Sequence, residues 1–205
     1  FVFPTCCPES YCTLLVLFMP ELPDLQAFSR NLSKKLVGKK VEKIHAIYTK
    51  KLNCTDREIV KAITGAALTA VYREGKELHL AFSNGNVIGL HLMLKGELRY
   101  FHGKNEHKFT IFEILFVSGV GLALTDFQKQ ATATLNPAPR EAPDALSNQA
   151  GYRFLKDQLG KSKVAVKKLL MNQDVIRGIG NAYADEILWH ARISPFAVGN
   201  KNPDP

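Results

Sequence analysis

The sequence predicts an α+β protein, an N-terminal helix plus a β-sandwich or barrel, followed by an all-α segment. Three observations carry this. Leu22, Leu25, Phe28, Leu32 and Leu36 recur at three- and four-residue steps, the spacing of an amphipathic helix. Between 66 and 125 apolar runs are short and partly alternating, and Asn84-Gly85 between two of them is the strongest local hairpin signal. Beyond a stretch at 136–144 with three prolines in nine residues, the period becomes helical again.

The elements follow in order. The first helix spans 22–36, with Arg30, Lys34 and Lys35 on its polar side. Strands are expected at 66–71, 78–82, 87–92, 98–101, 109–116 and 121–125, separated by Gly or charged turns. Helices are expected at 149–159, 163–170 and 181–190. This divides the chain into an extension at 1–18, a β-sandwich domain at 19–135, a linker at 136–148 and a helical domain at 149–205. A basic run, Arg30, Lys34, Lys35, Lys39, Lys40, Lys43, Lys50 and Lys51, is opposed only by Glu42 and reads as a solvated face or a polyanion-facing one.

Composition narrows the partners. The 205 residues carry 27 Lys+Arg against 19 Asp+Glu, a formal charge of +8. With 46% hydrophobic and 22% charged residues, wholesale disorder is excluded. No stretch has the apolar length of a bilayer-spanning helix. The basic excess favours nucleic acid first and an acidic membrane surface second. The chain opens at Phe1 and its first methionine is Met19. Residues 1–18 hold one charge, Glu9, and lack the basic start and cleavage site of a secretory signal. They are expected to lie upstream of the true start. Cys6, Cys7 and Cys12 fall inside them without partner histidines, a poor zinc site. Cys54 alone then remains, which suits a reducing compartment and an expected cytoplasmic location. The proline-rich end, Asn202-Pro203-Asp204-Pro205, is expected to lead into a further element.

Three constellations carry chemistry. In Met19-Pro20-Glu21-Leu22-Pro23-Asp24, removal of the methionine exposes Pro20 as a secondary amine. An α-amino group titrates near 8, so a useful fraction is neutral and nucleophilic at pH 7. Attack on a sugar C1′ gives a cationic iminium, with Glu21 beside it as a proton donor. The bland alternative is a proline that opens a helix, and alone it prevails. In Gly75-Lys76-Glu77 a lysine at a glycine turn can be aimed at a phosphate or sugar, though solvated strand lysines are far commoner. Gly178-Ile179-Gly180-Asn181 joins two helices, so it is no dinucleotide fingerprint. Paired glycines let a ligand approach the backbone, and the N–H groups of the helix opening at Asn181 suit a phosphate. With Lys161, Lys163, Lys167 and Lys168 just upstream, DNA-backbone binding is preferred over a plain helical hairpin.

Together these residues resemble the formamidopyrimidine-DNA glycosylase / endonuclease VIII (Fpg/Nei) family. The likeness runs from Met19 to Pro195. It rests on Met-Pro-Glu-Leu-Pro, Gly75-Lys76, His91-Leu92-Met93-Leu94-Lys95-Gly96, Pro143-Asp144-Ala145-Leu146, the stretch from Ile176 to Leu188, and Ser194-Pro195. The resemblance implies a sandwich lobe and a helix-two-turn-helix lobe, with damaged DNA in the cleft between. It implies a bifunctional DNA glycosylase/AP lyase in which Pro20 attacks C1′ of an everted nucleotide, Glu21 assists ring opening and Lys76 contacts the backbone. Asn181, Lys163, Gly178, Gly180, His91 and Leu94 are the implied DNA contacts.

Three departures stand out. Leu94 occupies the place of the family's void-filling methionine, and Asp126-Phe127-Gln128-Lys129-Gln130 replaces its Arg-bearing loop. Asp24 stands for a glutamate. No cysteine follows Cys54, so the paired-cysteine zinc finger is absent from this sequence. No metal or other cofactor is expected in the chain, and zinc only if a finger follows Pro205. The expected state is a nucleoid-associated monomer without membrane partners. A non-catalytic damaged-DNA-binding member of the same fold is the alternative function. A basic RNA-associated domain is a third, but it leaves 19–24 and Gly180-Asn181 unexplained.

Overall fold

The computed structural model describes residues 20–201. The expected extension 1–18, its three cysteines, Met19 and the end at 202–205 lie outside the described residues.

Helix α1 (Leu22–Leu36) has the expected bounds. Glu21 is its N-cap in extended backbone, and the Glu21 N–H donates to Asp24 Oδ2 at 3.0 Å, satisfying a donor at the helix start. Leu22, Leu25, Leu32 and Leu36 are buried, whereas Phe28, on the expected stripe, stays partly exposed. The helix packs on β2, where the Ser33 hydroxyl donates to the Val71 carbonyl at 3.0 Å.

Two four-stranded antiparallel sheets face each other, which settles the β architecture as a sandwich. β1 (Val41–Ala46), β6 (Thr110–Phe116), β7 (Val120–Thr125) and β5 (Glu97–His102) form one sheet in the order β1-β6-β7-β5. β2 (Leu68–Glu74), β3 (Glu77–Phe82), β4 (Val87–His91) and β8 (Thr132–Leu135) form the other in sequence order. Leu78, Leu80, Ile88, Ile114 and Phe116 are fully buried between them. Such alternation of inward apolar and outward polar positions is what closes a two-sheet core. The β3–β4 hairpin turns at Asn84-Gly85, with Gly85 at φ +84.

The sequence reading missed β1, α2 (Asp56–Ile63) and β8. It also placed the helical elements too early. The structure has a 3-10 turn at Asn148–Ala150 and then α3 (Tyr152–Lys161), because Gly151 is the N-cap and breaks the run expected from 149. α4 is Val166–Leu170 and not 163–170. Ala165 bridges Val198 and the Val166 N–H donates to Ala197 O at 2.8 Å, so residues before it are held extended. α5 (Asn181–Ala191) begins where expected. Val166, Leu170, Ile176, Ile179, Ala184 and Leu188 build a second, smaller core.

Candidate active site at the junction of the two lobes

The β2–β3 hairpin turns at Gly75, which takes φ +58 and leads Lys76 to the tip. This tip meets the helical lobe. Arg73 donates from Nη1 and Nη2 to the two Asp144 carboxylate oxygens at 2.5 and 2.7 Å. Arg177 answers from the other lobe, with Nη1 2.6 Å from Glu74 Oε1. Each lobe thus lends an arginine and receives one. The paired fork geometry fixes orientation as well as distance. Burial resists ionisation of Asp144, but the Arg73 bonds and the N–H groups of Leu146 and Gly75 outweigh it and hold the carboxyl below its usual range.

The central contact is made by Glu21. Its side chain is 4% exposed and reaches across to the N-terminus of α5. The carboxylate accepts from the N–H groups of Gly180 at 3.0 Å, Ala182 at 2.9 Å and Tyr183 at 3.1 Å. A helix N-terminus with unpaired N–H groups and a positive dipole end is a natural seat for such an anion. Gly180 makes room for it: a Cβ there would lie 2.3 Å from the Glu21 carboxyl carbon. The sequence reading is therefore corrected on the occupant. The N–H groups expected to be free for a phosphate hold the protein's own Glu21. Pro20, next to it, is consequently fixed at the lobe junction, partly exposed.

Lys76 stands within electrostatic reach of this seat. Burial pushes its ammonium below the ordinary lysine range, while the nearby Glu21 charge opposes the shift. A cleft of ≈ 400 Å³ opens beside it, lined among others by Glu77, His79, His91, Arg140 and Gln173. Glu77 is hydrogen-bonded to His79 at 3.2 Å and to Arg140 at 3.0 Å. His91 accepts the Met93 N–H on Nδ1 at 3.0 Å, which leaves Nε2 to carry the ring proton. Burial pushes the imidazole pKa down, Lys76 and Arg140 add to this, and Glu77 opposes it.

The structure brings Pro20, Glu21, Lys76, Gly178 and Gly180 together and places His91 along the same end of the sandwich. Leu94 is 50% exposed at the tip of the β4–β5 turn. Lys163 is exposed in the loop before α4, not on the helix expected there. The basic run at 30–51 is spread over α1, β1 and the loops around it, and Lys35 is committed to the Tyr100 ring at 4.8 Å. Sequence reasoning missed the reciprocal arginines. Pro143-Asp144 carried a family likeness but gave no local sign that Asp144 pairs with Arg73.

No group of three His, Cys, Asp or Glu that could hold a metal ion occurs among the described residues. Cys54, whose thiol is pushed up by burial, stands alone beside α2. No helix among the described residues is long and apolar enough to cross a membrane.

A helix-bearing sandwich clasped to a glycine-hairpin helical lobe defines the two-lobed helix-two-turn-helix class. The profile of the formamidopyrimidine-DNA glycosylase N-terminal domain matches residues 19–133, and that of its H2TH domain matches 142–202. The chain belongs to the formamidopyrimidine-DNA glycosylase family. It is 30% identical to the formamidopyrimidine-DNA glycosylase of Ligilactobacillus salivarius over 201 residues, covering 89% of this chain and 70% of the relative. That of Carboxydothermus hydrogenoformans is 30% identical over 185 residues, covering 88% and 68%. The Lactococcus lactis Fpg, solved with an abasic site containing DNA, superposes with a TM-score of 0.83 at 25% identity, covering 90% of this chain and 72% of that one.

Proposed function

We propose that the protein is a bifunctional DNA glycosylase/AP lyase of base-excision repair that removes oxidised bases from damaged DNA. The observation that carries this reading is the seating of Glu21 on α5. It fixes the neighbouring Pro20 at the junction where Lys76 also arrives. With residues 1–19 removed, the Pro20 nitrogen is a secondary amine instead of an amide. Its lone pair forms a bond to C1′ as the C1′–N glycosidic bond breaks, and the base leaves with that electron pair and takes up a proton. The Pro20 nitrogen, having given up its proton, then expels O4′: the C1′–O4′ bond breaks and O4′ takes up a proton. The opened sugar is held as a cationic iminium that withdraws electrons from C2′, so that a C2′ proton is lost and the 3′ phosphate departs by elimination. Everting the nucleotide costs a few kcal/mol and is cheapest at a damaged pair.

In this scheme Glu21 holds the nucleophile's neighbouring backbone in place and faces the opened sugar. Lys76, with its ammonium weakened by burial, is the group beside it that gives up a proton more readily than an exposed lysine. Asn181 and Lys163 face phosphates, and Leu94 is the wedge into the vacated stack. The protein acts as a monomer at the nucleoid, in the cytoplasm. Borohydride reduction of the protein starting at Pro20, mixed with abasic-site DNA, is expected to yield a covalent adduct. Pro20→Gly, or retention of residues 1–19, is expected to lower the yield at least tenfold. Absence of any adduct with the processed protein would instead support a binding-only role.

A further inference from the structure

Away from Pro20 and Lys76, the same end of the sandwich carries an exposed aromatic pair. The ladders place it there: Glu97 and Thr110 both lie opposite Thr125, and Thr132 lies opposite His91. The β4–β5 turn, the start of β6 and the β7–β8 loop therefore converge. Phe109 is 62% exposed and Phe127 57% exposed, and their rings meet edge to face with centroids 6.5 Å apart. Singly exposed apolar residues need no explanation, but two paired aromatics held out of the core at a sheet end do.

They are held by construction. Asp126, 2% exposed, accepts on its carboxylate from the N–H groups of Gln128 at 2.9 Å, Gln130 at 2.7 Å and Ala131 at 2.9 Å. Its own N–H donates to the Phe109 carbonyl at 2.9 Å, so one buried residue organises both loops. Met93, Phe109 and Lys129 all adopt left-handed backbone, at φ +52, +60 and +55. Non-glycine residues are kept in that region only when their surroundings over-determine it, and such residues cluster at functional sites.

The surroundings are basic. Lys51 donates to the Gln130 carbonyl and side chain, Lys129 lies 5.3 Å from the Tyr48 ring, and Lys95 and Lys108 flank the turn and Phe109. Among the described residues no carboxylate pairs with any of the four, and Glu106 is the exposed acid of the 103–109 loop. Exposed aromatic faces ringed by lysines match a chain of bases and phosphates, since any base can stack on a ring whatever its sequence.

We propose that Phe109 and Phe127 form a stacking site for unpaired bases of single-stranded DNA, with Lys51, Lys95, Lys108 and Lys129 facing its phosphates. The site rests on the DNA-repair reading above and extends it, because neither ring belongs to the proline–glutamate–lysine centre. In a paired duplex the base faces are covered by their neighbours, so the site discriminates unpaired strand from duplex.

The test uses the full chain processed to Pro20, with fluorescence anisotropy on a labelled thymidine oligonucleotide and on an undamaged, fully paired duplex. Phe109→Ala and Phe127→Ala are each expected to weaken single-strand binding about fivefold or more, and the pair of changes further. Duplex affinity should stay within about twofold, and the salt dependence should not change because no charge is removed. Phe127→Tyr should restore single-strand binding, and emission of a 2-aminopurine in the strand should be quenched by the wild type but less by the alanine variants. Unchanged single-strand affinity, or equal losses on strand and duplex, overturns the proposal. If wild-type protein gives no borohydride adduct yet the alanine variants lose single-strand binding, the catalytic reading fails and the stacking site stands. If the adduct forms and the variants bind strand like wild type, the stacking site alone fails.

Discussion

Replacing Gly180 by alanine isolates the Glu21 seat. The backbone at Gly180 is extended, at φ −116, so an alanine brings no conformational strain. Its methyl group, however, would sit 2.3 Å from both the Glu21 carboxyl carbon and one carboxylate oxygen. Those atoms are not a free chain end, because they are pinned by three N–H donors of another lobe. The carboxylate must therefore leave its seat. Hydrogen bonds to a charged group contribute about 1.5–3 kcal/mol each. Losing two of them, with partial relaxation, costs on the order of 3 kcal/mol, which corresponds to a fall in Tm of roughly 6–12 °C for a chain this size. Because Pro20 is fixed through its neighbour, adduct formation with abasic DNA should fall by more than tenfold. Gly160→Ala serves as the control. Gly160 lies in α3 with nothing within 4 Å of a new Cβ, so alanine there should stabilise by about 0.5–1 kcal/mol. Thermal unfolding and single-turnover borohydride trapping read both quantities. A Gly180→Ala protein that melts and traps like wild type would refute the idea that Glu21 registers the nucleophile.

Other consequences follow from the same geometry. Asp144→Asn, which leaves Arg73 without its carboxylate, should destabilise at neutral pH by about 3 kcal/mol or more. The Asp144 carboxyl is depressed in the folded state, so its contribution is present above the unfolded value near 3.9 and is lost as pH falls through the folded one. Denaturant melts from pH 7 down to pH 3 should show the gap between the two proteins closing, and a constant gap would deny the linkage. Lys163→Ala should weaken binding to every DNA sequence alike and reduce the salt slope by about 1. An unchanged slope would place Lys163 away from phosphate. Lys76 should react with an acylating reagent with a pH midpoint below the ordinary lysine value, read by mass spectrometry.

Helix α1 was legible because its stripe is regular and its start carries Pro23 and Asp24. The β3–β4 hairpin was legible because Asn84-Gly85 suits a tight turn. β1 was not, because its register shifts between Val41 and Lys43, which breaks the two-residue alternation and leaves a basic-looking run. α2 did announce itself through Thr55 and Glu58, a capping box whose two hydrogen bonds the structure shows, yet only Ile59 and Ile63 of its eight residues are buried. At the junction, the glycine at 180 was correctly read as a place of close approach. The visitor was not, because Glu21 lies some 160 residues away and no local pattern encodes that contact.

The Glu21 seat also sets an order of events during synthesis. Pro20 and Glu21 leave the ribosome some 160 residues before Gly180, Ala182 and Tyr183, whose N–H groups hold the Glu21 carboxylate. Until then a nascent chain can fold its sandwich with Glu21 still unseated. On the proposed reading, a secondary amine able to form iminium ions with aldehydes would thus reach its working position only once the helical lobe exists.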